Sequence, residues 1–336
     1  MTGLTRTERA LLALVVLLTA AAGVTRYASG VSAVVAFVVA TLALAGGAWV
    51  VSVSVEQVGE RLGPATTGVM QATVANLPEF FVVIFALNAG QLIVAQTALV
   101  GSVLVNALLV LGLVIVAGAR QTRDGIMRFS PRLPNDTATL LLIASFIIAL
   151  VGLANSSHDA ASHHIKTISI ISACAILVVY GAWLSQYLRS QASGASPGPA
   201  AAPRVPLAVA IGLLVCAGVA SAFVSDWFIH ALTPTVHKLH ISKAFAGLVI
   251  VAIAGNAVEN VAGIVLAHRG RSELAIAVVK NSVGQIAAFL FPLLVLVSLL
   301  TSTTLTFALA PVYTGALIGT AVIVWQVTGD GEATVF

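Results

Sequence analysis

The chain has 336 residues, of which 59% are hydrophobic and 8% are charged, and its mean hydropathy is +1.05. A soluble domain carries about 25% charged residues, so this composition indicates a polytopic membrane protein with little soluble mass. The formal net charge of +4 does not indicate nucleic-acid binding, because excess Lys and Arg in a membrane protein marks its cytoplasmic loops. The two cysteines, Cys174 and Cys216, lie in apolar runs and predict neither a disulfide framework nor a thiolate metal site.

Ten apolar runs are long enough to cross about 30 Å of hydrocarbon, which takes about 20 helical residues. The sequence therefore predicts an all-α fold with about ten transmembrane helices. Arg6 and Arg9 precede the first run as in a signal peptide, but no convincing cleavage site follows, so we interpret it as a membrane helix. The predicted spans are 10–26, 31–55, 66–88, 92–118, 137–155, 166–189, 206–225, 243–267, 273–299 and 304–327.

A segment rich in Ser, Ala, Gly and Pro separates two halves of the chain and predicts a flexible linker. Each half contains one copy of an internal repeat. The predicted organisation is an N-terminal helix at 1–28, a first half at 29–189 with repeat 1 at 66–118, the linker at 190–205, and a second half at 206–336 with repeat 2 at 243–299.

Loop charges predict the orientation. Eleven basic residues fall in the segments on the side of the N-terminus and four on the other side, which favours a cytoplasmic N-terminus. The two repeats then run in opposite directions across the membrane, an architecture in which the binding site lies between the repeats near mid-membrane. The inner set is Arg6, Arg9, Arg61, Arg120, Arg123, Arg128, Arg132, Arg189, Arg204, Arg269 and Arg271, and the outer set is Arg26, Lys166, Lys238 and Lys243.

The repeats share an unusual polar pattern inside apolar runs. Asn76 and Glu79 recur as Asn256 and Glu259, 180 residues later, and a serine follows each glutamate after 23 residues. An Asn-x-x-Glu pair shares one helix face. A charged side chain at the bilayer centre costs about 3 kcal/mol or more, so we interpret both carboxylates as functional.

Further polar residues and two helix breakers accompany the pairs. Pro78 removes a backbone donor and frees carbonyl groups, and Gly255 can loosen the second copy although Val258 stands where Pro78 would correspond. The next span of each half adds two polar side chains on one face. These are Ser102 and Asn106 in repeat 1, and Ser282 and Gln285 in repeat 2.

Together these groups predict an oxygen-rich cation site. Calcium takes six to eight oxygen ligands, whereas metals that prefer thiolate or imidazole would need Cys or His, which the motifs lack. The alternative is that the amides and hydroxyls only join helices by hydrogen bonds. ATP-driven transport lacks support because no phosphate-binding loop is present, and neither a base–nucleophile pair nor a larger acid cluster suggests an enzyme.

The motifs resemble the calcium/proton exchanger family of the calcium/cation antiporter superfamily. The first core, Ala-Asn-Leu-Pro-Glu at 75–79, is similar to the family's Gly-Asn-Ala-Pro-Glu. The second, Gly-Asn-Ala-Val-Glu-Asn at 255–260, is similar to Gly-Asn-Ala-Ala-Glu-His. The resemblance covers roughly 56–118 and 243–297 and includes the runs around Ser102 and Ser282.

The resemblance implies a secondary antiporter that exchanges Ca²⁺ for H⁺ by alternating access, without a resident cofactor. It assigns Glu79 and Glu259 as the cation ligands that also carry protons, and the polar residues above as lining groups. Exchange coupled to sodium or another cation, or a channel, stays open as an alternative. The expected location is the plasma membrane of a prokaryote; the sequence leaves the oligomeric state open, a homo-oligomer included.

Two departures from the family pattern concern Lys280 and the C-terminus. Lys280 lies about seven residues inside its span, where the family is apolar. It either extends to the inner surface or pairs with Glu259 or Glu79 and alters cation preference. The family usually has one more helix after residues like those at 328–332, whereas this sequence ends at Phe336, so an eleventh span either follows that residue or is lacking in this protein.

The repeat generates a direct prediction for the carboxylates. Glu79→Gln and Glu259→Gln should each abolish calcium flux driven by a pH gradient, because glutamine keeps the volume but loses the charge and the titratable proton. Flux is measured in proteoliposomes, with circular dichroism as the control for folding. Near-normal flux in either variant contradicts a mechanism that uses two carboxylates.

Overall fold

A computed structural model describes residues 5–62, 74, 76–130, 132–157, 160–194 and 204–334. Within these residues the chain forms eleven helices and one two-stranded sheet. The elements are α1 (Arg6–Tyr27), α2 (Ala33–Leu62), α3 (Leu77–Asn88), α4 (Leu92–Ala119), β1 (Ile126–Arg128), α5 (Arg132–Ser156), α6 (Ile165–Gly194, after a 3₁₀ turn at Ala160–His164), α7 (Leu207–Leu239), α8 (Lys243–Gly255), α9 (Ala257–His268), α10 (Ser272–Leu300), α11 (Pro311–Thr328) and β2 (Glu332–Thr334).

Most of these helices are long and apolar enough to cross a bilayer. In the described part of the chain eight helices meet this requirement alone, and α8 with α9, bent by 60° at Asn256, make a ninth span. Helix α3 is the described end of the predicted span 66–88; residues 63–73 lie outside the described residues. The prediction of an all-α polytopic membrane protein is confirmed.

Two predicted boundaries differ from the structure. Helix α7 continues to Leu239, well beyond the predicted end at residue 225, although Pro234 lies inside it. It packs against α2 and α3, and such packing outweighs the lost backbone donor of one proline. Helix α6 extends to Gly194, into the predicted linker, whose residues 195–203 lie outside the described part.

The two repeats have matching local structure. Helices α3 and α9 each contain 12 residues and begin directly after an asparagine, Asn76 or Asn256. The following helices, α4 and α10, each contain a wide π-helical turn, at Val105–Val110 and Ile286–Leu290. Such turns inside α-helices occur frequently at functional sites. The sequence repeat is therefore also a structural repeat.

Contacts between loops show that the repeats are inverted. The end of α3 contacts the segment after α10, where the backbone N–H of Ser302 donates to Asn88 Oδ1 at 3.3 Å. The end of α9 contacts the loop after α4, where Gln121 Nε2 lies 3.3 Å from His268 Nδ1. Strands β1 and β2 pair antiparallel on this second side. Helices α3 and α9 thus leave their asparagines toward opposite sides of the membrane.

The backbones of the two halves approach closely where α4 crosses α8. A Cβ atom on Gly101 of α4 would lie 2.3 Å from the backbone oxygen of Leu248, which belongs to the π-helical turn of α8. Small residues at such crossings let two membrane helices approach closely. The backbone of Leu248 cannot move aside as a flexible side chain could, so glycine is required at position 101.

Gly101→Ala should therefore destabilise the protein. Overpacking of this kind costs about 1–3 kcal/mol, which is expected to lower the thermal unfolding midpoint in detergent. Gly112→Ala, on the same helix and with no atom within 4 Å of the added Cβ, is the control, because both variants gain the same helix propensity. Equal midpoints for the two variants would show that the crossing tolerates a methyl group.

Candidate functional site

In each repeat a helix begins directly after an asparagine that does not cap it in the usual way. Asn76 and Asn256 occupy the position before the first residue of α3 and α9, with φ/ψ of −87°/13° and −103°/17°. Asparagine there normally accepts a hydrogen bond from the first turn, but neither side chain does so. Both amides are consequently available to other partners.

The predicted helix breakers lie at these interruptions. Pro78 is in the first turn of α3. A backbone N–H there has no helical partner, so the missing N–H of proline costs no hydrogen bond. Gly255 is the last residue of α8. The second repeat bends without a proline, since Val258 stands at the equivalent place, so the bend depends on the asparagine and glycine rather than on Pro78.

Glu79 is the most enclosed carboxylate of the site. Its side chain is 2% exposed, and Oε1 accepts hydrogen bonds from Ser102 Oγ and, at 2.8 Å, from Asn256 Nδ2. The other oxygen, Oε2, is also buried and has no hydrogen-bond partner among the described residues. A buried acceptor without a partner is costly, so Oε2 is suited to hold either a proton or a cation.

A network of short polar contacts joins Glu79 to both repeats. Asn256 Nδ2 lies 3.0 Å from Ser102 Oγ, while Asn106 Nδ2 donates to Asn256 Oδ1 at 3.0 Å and to Ser282 Oγ at 3.2 Å. All of these side chains are buried. Five of the eight predicted site residues are thus hydrogen-bonded in one cluster, with Asn256 at its centre.

The remaining three predicted residues surround the cluster less tightly. Asn76 Nδ2 donates to Gln285 Oε1 at 3.4 Å, a long contact between the repeats. Glu259 is half-buried, and its carboxylate makes no side-chain hydrogen bond within the described part of the chain. It lies in the first turn of α9, three residues after Asn256, which places it beside the cluster. The site is therefore asymmetric although the sequence motifs match.

The donor set suits a hard cation. The cluster around Glu79 contains carboxylate, amide and hydroxyl groups, and the described residues contain no group of three or more His, Cys, Asp or Glu that could hold a metal ion. Soft or imidazole-preferring metals therefore have no ligand set here, whereas Ca²⁺ accepts neutral oxygens along with one or two carboxylates. That these residues bind a cation stays a prediction.

Gly255 has a second role that the sequence did not reveal. A Cβ atom at this position would lie 2.8 Å from Glu79 Cγ and 3.4 Å from its Cδ. The backbone of the second repeat thus packs directly against the carboxylate of the first. The equivalent residue of repeat 1, Ala75, lies outside the described residues.

Both predictions for Lys280 are wrong. Its side chain is 0% exposed, so it does not extend to the surface, and within the described chain it pairs with neither glutamate. Its Nζ instead donates to Thr328 Oγ1 at 3.1 Å, at the end of α11. Lys280 is on the face of α10 that points away from the cluster, which the position in the sequence alone could not indicate.

Comparison with known proteins is consistent with this geometry. The family model described as "Sodium/calcium exchanger protein" matches residues 32–186 and 209–336. The "Vacuolar calcium ion transporter" of Schizosaccharomyces pombe is 31% identical over 308 residues, 88% of this chain and 73% of the relative. The "Ca(2+)/H(+) antiporter ChaA" of Bacillus subtilis is 29% identical over 286 residues, 82% of this chain and 79% of the relative.

A solved structure has the same fold. The structure of native YfkE matches with a TM-score of 0.79 and 25% identity, covering 97% of this chain and 93% of that one. The match extends over both halves of the chain, so the two proteins share the overall arrangement of the helices.

The approach of Gly255 to Glu79 generates a prediction. Gly255→Ala should displace the Glu79 side chain and weaken calcium binding about tenfold. Overpacking costs about 1–3 kcal/mol, and a loss of about 1.4 kcal/mol in binding free energy corresponds to a factor of ten in affinity. Gly212→Ala on α7, where no atom lies within 4 Å of the added Cβ, is the matched control. Calcium affinity is measured by isothermal titration calorimetry. Wild-type affinity in the Gly255 variant would mean that the Glu79 position does not set binding.

Proposed function

We propose that this chain, which belongs to the sodium/calcium exchanger protein family, exchanges Ca²⁺ for H⁺ across a membrane by alternating access. The observation that carries this proposal is that the buried Oε2 of Glu79 has no hydrogen-bond partner among the described residues. Its neighbour Oε1 already accepts two hydrogen bonds. A proton at Oε2 would neutralise the buried charge and a cation would supply the missing partner, and the two occupants exclude each other.

Mutual exclusion at one carboxylate supports exchange rather than co-transport. A protonated Glu79 offers a hydroxyl in place of a charged ligand and cannot compensate the charge of Ca²⁺. Loading the cation therefore requires loss of the proton, and protonation releases the cation. Glu259, half-buried beside the cluster, would supply the second negative charge needed for a divalent ion.

The amide of Asn256 supports the same switch. Its Nδ2 donates to Glu79 while its Oδ1 accepts from Asn106. Rotation of the amide by half a turn would exchange donor and acceptor and turn Oδ1 toward the carboxylate, where it could join the cation's ligands. We propose that this rotation accompanies cation loading, with Ser102 and Ser282 as further oxygen ligands.

Na⁺ is the one specific alternative to H⁺ as the coupling ion. The matching family model is described as a sodium/calcium exchanger, which favours Na⁺ as the alternative coupling ion. The S. pombe and B. subtilis relatives are described as a calcium transporter and a Ca²⁺/H⁺ antiporter, which supports the proton. Because one relative is vacuolar, the prokaryotic plasma membrane stays a prediction.

Calcium uptake into proteoliposomes tests the proposal. With an imposed pH gradient and no other energy source, uptake should occur, saturate with calcium and collapse when an ionophore dissipates the gradient. A sodium gradient at equal pH on both sides should give no uptake. Uptake driven by sodium alone would replace the proton by Na⁺, and non-saturating flux that follows the membrane potential without a pH gradient would indicate a channel.

A further inference from the structure

A polar cavity lies toward the side of the membrane that the loop charges predict to be outer. It has a volume of about 570 Å³ and lies between the outer part of α3 and α7. Its walls include Asn88, Gln91, Asp226, His230 and Thr233. None of the residues hydrogen-bonded to Glu79 lines it, so it is separate from the central cluster.

Asp226 is a carboxylate within the membrane-spanning helix α7. It is half-buried, and within the described part of the chain its side chain makes no hydrogen bond and no ion pair. An ionisable group on a membrane-spanning helix is expensive where hydrocarbon surrounds it, and such groups often mark ion pathways. The predicted end of this span at residue 225 had placed Asp226 outside the membrane, which is why the sequence did not single it out.

The position of Asp226 places the cavity on the outer side of Glu79. Gly218 of α7 faces Leu77, whose Cδ1 would lie 3.7 Å from an added Cβ. Asp226 follows Gly218 by eight residues and Glu79 follows Leu77 by two. With a rise of 1.5 Å per residue on two helices that run in the same direction, Asp226 lies about 9 Å nearer the outer end than Glu79.

Neutral oxygens complete the cavity. Gln91 Nε2 donates to Thr233 Oγ1 at 3.3 Å, and Gln91 Oε1 is buried without a partner among the described residues. His230 is exposed at the rim. Arg26, which lines an adjoining cavity, lies over the ring of Tyr27 at 5.3 Å and forms no ion pair with Asp226. Among the described residues, no cation forms an ion pair with the carboxylate of Asp226.

We propose that this cavity is an outer binding site for a hydrated divalent cation, held by Asp226 with Gln91 Oε1 and Thr233 Oγ1. Three protein oxygens fall short of the six to eight that Ca²⁺ takes, so water supplies the rest and binding is weak. A carboxylate in a low-dielectric cleft raises the local cation concentration. A cation moving between the outer solution and Glu79 would bind at this site on its way. This role rests on the proposed exchange function.

Transport kinetics test the role of this site. In oriented proteoliposomes at low ionic strength, Asp226→Asn should raise the apparent KM for calcium offered from the outer side on the order of threefold and leave the maximal rate unchanged. The difference should shrink at about 1 M salt, where charges are screened within about 3 Å. Asp330→Asn, which removes an exposed acid on the opposite side, is the control. An unchanged KM in the Asp226 variant overturns the proposal.

Direct binding tests the site without transport. In the double variant Glu79→Gln/Glu259→Gln, Tb³⁺ used as a calcium probe should still give tryptophan-sensitised luminescence that Ca²⁺ displaces. Adding Asp226→Asn should abolish this signal, whereas adding Asp330→Asn should not. Luminescence that survives Asp226→Asn overturns the outer site. Absence of pH-driven uptake by the wild-type protein, with the Tb³⁺ result intact, overturns the exchange function alone.

Discussion

The burial of one carboxylate constrains the rest of this structure. Glu79 is enclosed at 2% exposure in the middle of a membrane protein, where an unpaired charge is expensive. The chain responds by bringing a hydroxyl from the same repeat and an amide from the other repeat to one oxygen of the carboxylate. Because those donors come from different halves of the chain, Glu79 can be accommodated only when the two repeats are packed together.

This requirement explains the local irregularities of the helices. An asparagine that capped its own helix could not reach across to the partner repeat, and Asn256 instead donates to Glu79. Gly255 allows the bend at Asn256 to approach Glu79 without overlap. The wide turn at Val105–Val110 contains Asn106, which holds the amide oxygen of Asn256. The breaks that weaken individual helices thus make hydrogen bonds between helices possible.

The sequence alone predicts those features of the fold and site that depend on a short local pattern of residues. Apolar length predicts the spans, and the repeated Asn-x-x-Glu with the polar residues of the next span identifies eight candidate residues, five of which form one cluster. Features set by tertiary contacts were not accessible. The direction of Lys280 depends on which face of α10 meets α11, and the continuation of α7 past Asp226 depends on packing against α2 and α3. The hydrophobic periodicity of the sequence predicts neither contact.

The unequal environments of the two glutamates follow from the inverted architecture. A pseudo-two-fold axis in the membrane plane exchanges the two sides of the membrane along with the two repeats. If both repeats made identical contacts, the site would face both sides equally, which a gradient-preserving exchanger has to avoid. Here equivalent serines have different partners, since Ser102 donates to Glu79 while Ser282 accepts from Asn106. The proposed alternation would exchange these roles between the repeats, so that matched sequences and unmatched contacts are both needed for transport from one side to the other.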